Sequence, residues 1–400
     1  MTAKYPGPGG ADVDGRLDMI ELFDGYDLAS EQPRVDRPPD DDHGEECVAQ
    51  PWPKGGGDPH GQQDRRERQC DIDKSHQHRV DPLPHEARDR TDERSNDARR
   101  HVSHRRYLRL MTQDRFGREM AHELIDVDRY PIDHPGTQRY DQLVQACRHD
   151  MATIGCAVMP GFIPAEIAGG MANQLGAIET FNRCQVLSAW GDPPAADLPA
   201  DHIHRRRFPE DTHVLAGDQL VGTGLRMFYE TDVLNIFLAD ALDVPELHRF
   251  GDQFQDLNVV QIKDGGLHAW HYDLSDFVIT LLLQKPEVGG QFEFAPFIRG
   301  EVIPGVVGGR DGRVWDERYD DVEQLFAGSW PDTHRLDLEP GDLVMFNGLR
   351  SMHRVRAVHG STNRMIAVMS YDTKPGFSST DAINAHLYGP RCQELLNTHL

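Results

Sequence analysis

The sequence predicts a mainly β protein with flanking helices, its core an antiparallel sandwich or barrel, and three observations carry that prediction. After Gly251 the chain becomes a series of short β-branched and aromatic segments separated by turn signals. Between about 138 and 250 apolar residues recur at helical spacing. Residues 1–110 hold a single Phe and long polar runs such as "RPPDDDHGEE" and "HEARDRTDERSNDARR". Such a segment buries too little apolar surface to offset the entropy of ordering it, and disorder is expected there. Its scattered histidines have no supporting fold pattern around them and are read as biased composition. At Met111 the composition turns to that of an ordinary globular protein, which makes Met111 a candidate native start.

Taken in order, Leu143, Val144, Cys147, Met151 and Ile154 mark one face of a first helix, and "GCAVMPGFIP" reads as a short strand and turn. "PAEIAGGMANQLGAIE" is a second amphipathic helix, with Glu166 in the first turn facing the positive end of the helix dipole. "GLRMFYETDVLNIFLADALDV" is expected as one further helix with Leu234, Phe237, Leu238 and Leu242 inward. Between these, "HRRRFPEDTH" at 204–213 reads as a basic loop broken by proline. The strand series is "LNVVQIK", "FVITLLLQ", "GQFEFAPF", "HRLDL", "DLVMFNG", "HRVRAV" and "RMIAVMSYD", punctuated by "KDGG", "PEVGG", "EPGD" and "HGSTN". An insertion at 298–333 carries one short helix at "DDVEQLFAG", and its length suits either a lid or binding loop or a plain surface loop.

Composition bounds the function. A formal net charge of -24 argues against neutralising a phosphate backbone or an anionic membrane. No run approaches the roughly 18 apolar residues of a membrane span. The six cysteines show no CxxC pair or regular spacing and suit a reducing cytoplasm.

The chemistry centres on "HAWHYDLSDF" at 268–277. His271 and Asp273 are two apart on extended chain and share a face. His353 starts a later strand, and Arg364 starts the next. Two histidines and a carboxylate form a facial triad that holds Fe(II) and leaves positions open for oxygen chemistry. An oxo acid bound there needs a cation at its far carboxylate, a role open to Arg364. Trp270 and Tyr272 alternate with the ligands and read as packing residues. Arg354 and Arg356 read as one solvated face.

The combination of "HYD", the His of "SMHRVRAV" and the Arg of "STNRMIAV" resembles the Fe(II)/2-oxoglutarate-dependent dioxygenases. More narrowly it resembles the branch that includes the BesD and HalD amino-acid halogenases and their hydroxylating relatives, over most of 120–390. The resemblance implies a double-stranded β-helix (jelly-roll, cupin-like) core at about 251–375, within an oxygenase domain at 111–400. It implies metal ligation by His271, Asp273 and His353, 2-oxoglutarate held by Arg364, and O2 as oxidant. The halogenases replace the carboxylate by a small residue, and Asp273 therefore implies hydroxylation of a small polar substrate such as a free amino acid. Asn258 is a candidate co-substrate contact. His268 is either a substrate-side residue or a structural histidine, and Arg206 or Arg207 could reach a substrate carboxylate. A cupin-like isomerase or hydrolase has no use for Arg364. A non-catalytic binding protein has no use for the full set of four.

Overall fold

The computed structural model describes residues 122–191, 198–273, 275–304 and 313–398. The expected disorder of 1–110 and the start at Met111 lie outside the described residues.

The first helix, α1 (Gln138–Ile154), is capped by the Thr137 side chain, which accepts from the Tyr140 amide, and it ends at Gly155 in the left-handed region. Strand β1 (Cys156–Met159) follows, then α2 (Ala165–Gly176). The segment expected as one helix is two, α3 (Gly224–Tyr229) and α4 (Asp232–Ala241). The break falls at Glu230 and Thr231, where the Thr231 hydroxyl donates back to Met227 O and its backbone is extended. The proline-broken loop is also corrected. Residues Arg207–Leu215 form strand β3, paired along its length with β2 (Asn182–Ala189). Pro209 is tolerated because pairing on the other side of β3 begins only at Asp211, whose amide donates to Leu267 O, and continues through His213–Leu215.

The core strands are β4 (Leu257–Ile262), β5 (His268–His271), β6 (Val278–Gln284), β7 (Phe292–Ala295), β8 (His334–Leu336), β9 (Leu343–Phe346), β10 (Met352–Val355) and β11 (Arg364–Met369). They form two antiparallel sheets. The larger runs β1-β9-β6-β11-β4-β3-β2 and the smaller β8-β7-β10-β5. Successive core strands change sheet at every step except β7 to β8, which is the jelly-roll winding of a double-stranded β-helix.

Two apolar layers result. Leu282, Phe294, Leu336, Val344, Phe346 and Ile366 fill the space between the sheets. On the other face of the large sheet, Ile279, Leu281, Leu283, Met345 and Ala367 meet α1, α2 and α4. Strand β6 is therefore buried on both faces, which explains why "VITLLLQ" is a continuous apolar run. Helix α5 (Tyr319–Phe326), from the insertion, lays Val322 and Leu325 against Trp270 and Met352 on the outer face of the small sheet. Among the described residues no helix is long and apolar enough to cross a membrane.

Candidate metal centre

Strands β5 and β10 are neighbours, and His271 and His353 face each other directly across the ladder, with ring centroids 4.1 Å apart. Asp273 lies two residues past His271, its amide donating to Gly348 O at 3.0 Å. Its Oδ1 is 3.6 Å from His271 Nε2 and its Oδ2 is 3.5 Å from His353 Nε2. Those separations are too long for hydrogen bonds, and they suit atoms that share one ion at about 2.1 Å from each. The three ligand atoms all lie within 4.8 Å of one another.

Both imidazoles are prepared for ligation. His271 Nδ1 meets Ala269 O at 2.8 Å and His353 Nδ1 meets Ser351 O at 3.0 Å. A carbonyl only accepts, so each Nδ1 carries the proton and each Nε2 presents its lone pair. Burial opposes the charge on Asp273, but interaction with His353 and His271 in their protonated forms outweighs it and holds its carboxyl far below the usual range. Gly348 makes room for that carboxylate, since a Cβ at this position would overlap it. Phe346 meets the His353 ring edge-on at 4.8 Å, so the cluster opens onto the apolar space between the sheets.

Arg364 reaches that same space from the opposite sheet. It shares a face of β11 with Ile366 and is 2% exposed. Leu282, Phe292, Leu336, Leu338 and Gly290 line a small cavity with it. Its Nε donates to Gly290 O at 3.0 Å. No acidic side chain among the described residues pairs with the guanidinium, and burial alone pulls its pKa down to about 10. A buried cation without a counter-charge is costly in an empty protein.

The structure brings His268 to the cluster in a way simple alternation does not allow. Between the His353–His271 and Val355–His268 pairs, β5 carries one more residue than β10. That bulge turns His268 onto the ligand side, where its ring stacks on His271 at 4.2 Å. Burial lowers its pKa to about 4 and keeps it neutral. Its Nε2 is 3.6 Å from Glu210 Oε1, while Glu210 Oε2 accepts from the Ser188 hydroxyl at 2.7 Å.

Glu210 carries no sequence signal as long as its segment reads as a loop broken by proline. Read as a strand, Phe208, Glu210, Thr212 and Val214 share one face, and that alternation was the available signal. By the same alternation Arg207 is exposed, on the face of β3 opposite Glu210. Arg206 lies over Phe208 and Phe326, at 5.1 and 5.5 Å. Asn258 is not brought to the metal ligands. Its amide donates to Phe254 O at 2.7 Å and accepts from Tyr388 Oη at 2.8 Å. Trp270 and Tyr272 pack outward with Trp190 and Met352. Arg354 and Arg356 are on the outer face as expected, joined through Glu293 at 2.8 Å each.

Fold and site together define a double-stranded β-helix with a two-histidine, one-carboxylate cluster able to hold a metal. No protein-family model and no curated protein matches the chain. Among solved structures it is similar to a 2OG-Fe(II) oxygenase family oxidoreductase from Burkholderia pseudomallei, at 14% identity over 58% of this chain and 92% of that one, with a TM-score of 0.37. It is similar to a Pseudomonas putida prolyl-4-hydroxylase at 15% identity, over 57% and 98% of the two chains, with a TM-score of 0.34. HygX from Streptomyces hygroscopicus, solved with nickel and 2-oxoglutarate, aligns at 14% identity over 60% and 91%, with a TM-score of 0.35.

Proposed function

We propose that the chain is an Fe(II)- and 2-oxoglutarate-dependent oxygenase that hydroxylates an unactivated C–H bond of a small polar substrate, with a free amino acid as the class of choice. The observation that carries this is the pairing of a ready-made ligand set on one sheet with a buried arginine on the other that has no acidic partner among the described residues. His271, Asp273 and His353 would hold the iron. Iron(II) in such a site supplies open positions where a 2-oxo acid and O2 can meet. Arg364 offers its fork to the far carboxylate of the oxo acid, and the apolar lining between the sheets keeps that ion pair dry and strong. The overall conversion takes 2-oxoglutarate, O2 and the substrate to succinate, CO2 and the alcohol.

Asp273 supports hydroxylation over halogenation, because a carboxylate fills the position a halide would need. Glu210 supports an amine on the substrate: it stands beside the cluster, and among the described residues no Lys or Arg pairs with it. An isomerase or hydrolase on the same barrel would leave Arg364 unexplained.

The test is an anaerobic titration with Fe(II) and then 2-oxoglutarate, followed by the visible charge-transfer band of a chelated 2-oxo acid. The expected result is a band in the parent protein that is lost in His271→Ala and weakened in Arg364→Ala, with iron still bound in the latter. Zinc retention without any band would favour the hydrolytic reading instead.

A further inference from the structure

Behind the ligands, on the outer face of the small sheet, lies an ion pair that the proposed chemistry does not use. Arg299 is 2% exposed. Its Nε and one terminal nitrogen donate to the two carboxylate oxygens of Glu317 at 3.0 and 2.8 Å, a bidentate pair. Its other terminal nitrogen donates to Leu349 O at 3.3 Å, and its backbone amide to Arg350 O at 3.1 Å. The guanidinium lies over the Tyr272 ring at 4.1 Å from the centroid. The Tyr272 hydroxyl has no hydrogen-bond partner among the described residues, which leaves packing and the ring contact to fix that side chain.

These contacts surround Asp273. Tyr272 is the residue between His271 and Asp273, and Leu349 follows Gly348, whose carbonyl receives the Asp273 amide. Arg299 thus touches both segments that fix where the carboxylate stands, the Tyr272 side chain on one and the Leu349 carbonyl on the other. The charge it needs to remain buried comes from Glu317, in the insertion ahead of α5. A buried ion pair is a poor source of net stability compared with an apolar replacement, whereas its geometry is exacting. We propose that Arg299 and Glu317 are positioning residues for Asp273, so that the metal affinity of the barrel depends on a side chain of the insertion. This rests on the metal centre assigned above.

The test uses Co(II) titrations of the full chain, read by the d–d absorption band, on the parent, Arg299→Lys, Glu317→Gln, His271→Ala and a control. Arg299→Lys keeps the charge and loses the fork; Glu317→Gln keeps the shape and loses the charge. The control is Arg226→Lys, which disrupts the other buried Arg–carboxylate pair, Arg226 with Asp256, away from the metal ligands. Expected are about tenfold or weaker Co(II) binding and a changed band in both Arg299→Lys and Glu317→Gln, in line with the loss on removing an outer support of a ligand. Arg226→Lys should lower the melting temperature and leave Co(II) affinity within about twofold. If either positioning variant does not fold, Glu317→Asp replaces it. Folded variants that bind Co(II) like the parent, or that lose affinity only as Arg226→Lys does, would overturn the proposal. A parent protein that binds no Co(II) sensitive to His271→Ala would instead overturn the metal centre, and the proposal with it.

Discussion

The two sheets of the barrel differ in strand length, up to nine residues in the large sheet and three or four in the small one, and they are used differently. The central strands of the large sheet are buried on both faces, against the helices on one side and the interior on the other. The small sheet faces the same interior, but outside it carries Glu293, Arg354 and Arg356 beyond the patch that α5 covers. All three residues proposed to hold the metal lie on or just after strands of the small sheet, and the arginine lies on the large one. A thin, half-solvated wall can bend, bulge and take side chains from loops, as His268 and Asp273 require. The thick wall gives Arg364 a dry, rigid seat. One wall supplies chemistry and the other supplies stability and an anchor.

Substitutions can break or sharpen that contrast. The largest expected effect is His271→Ala, which should weaken metal binding by more than about a hundredfold, beyond the loss typical of an outer support, in the Co(II) titration. Asp273→Gly should abolish hydroxylation in a succinate-release assay. Next is Arg364→Met. It should weaken 2-oxoglutarate binding by about 2–5 kcal/mol while leaving metal affinity unchanged, and the melting temperature of the empty protein should hold or rise, because an unpaired buried charge has been removed. Leu281→Ala, on the thick wall, should cost about 2–5 kcal/mol in urea unfolding without changing metal affinity. Gly348→Ala should act on both scales more mildly, at about 1–3 kcal/mol of stability with weakened metal binding as Asp273 is pushed aside. Arg354→Ala, on the solvated outer face, should cost less than about 1 kcal/mol and leave the metal alone. Were Arg354→Ala to lower metal affinity as much as Gly348→Ala, the division between the walls would fail.

Much of this was legible in the chain because period and spacing are local properties. Leu143, Val144 and Cys147 announce α1, and the two-residue step from His271 to Asp273 survives in three dimensions. His353 was recognised by type and position in the strand series, although nothing local shows that it pairs with His271 across a ladder. Other features were hidden for physical reasons. Three arginines and a proline disguised β3, whose strand character comes from pairing with β2. With β3 unread, Glu210 could not be placed. The bulge in β5 reverses the face that counting assigns to His268. That Arg364 has no acidic partner among the described residues is a statement about its surroundings, which only the folded chain can make.

That solitary guanidinium has a consequence for the lifetime of the protein. An interior charge that waits for its counter-ion makes the empty fold the costlier one, and a ligand that binds only the folded state lowers the unfolded fraction in proportion to its concentration. Proteolysis draws on that fraction. If the oxo acid proposed above is that ligand, its scarcity leaves more chains open to degradation at any moment, and its abundance lets the same rate of synthesis sustain a larger pool.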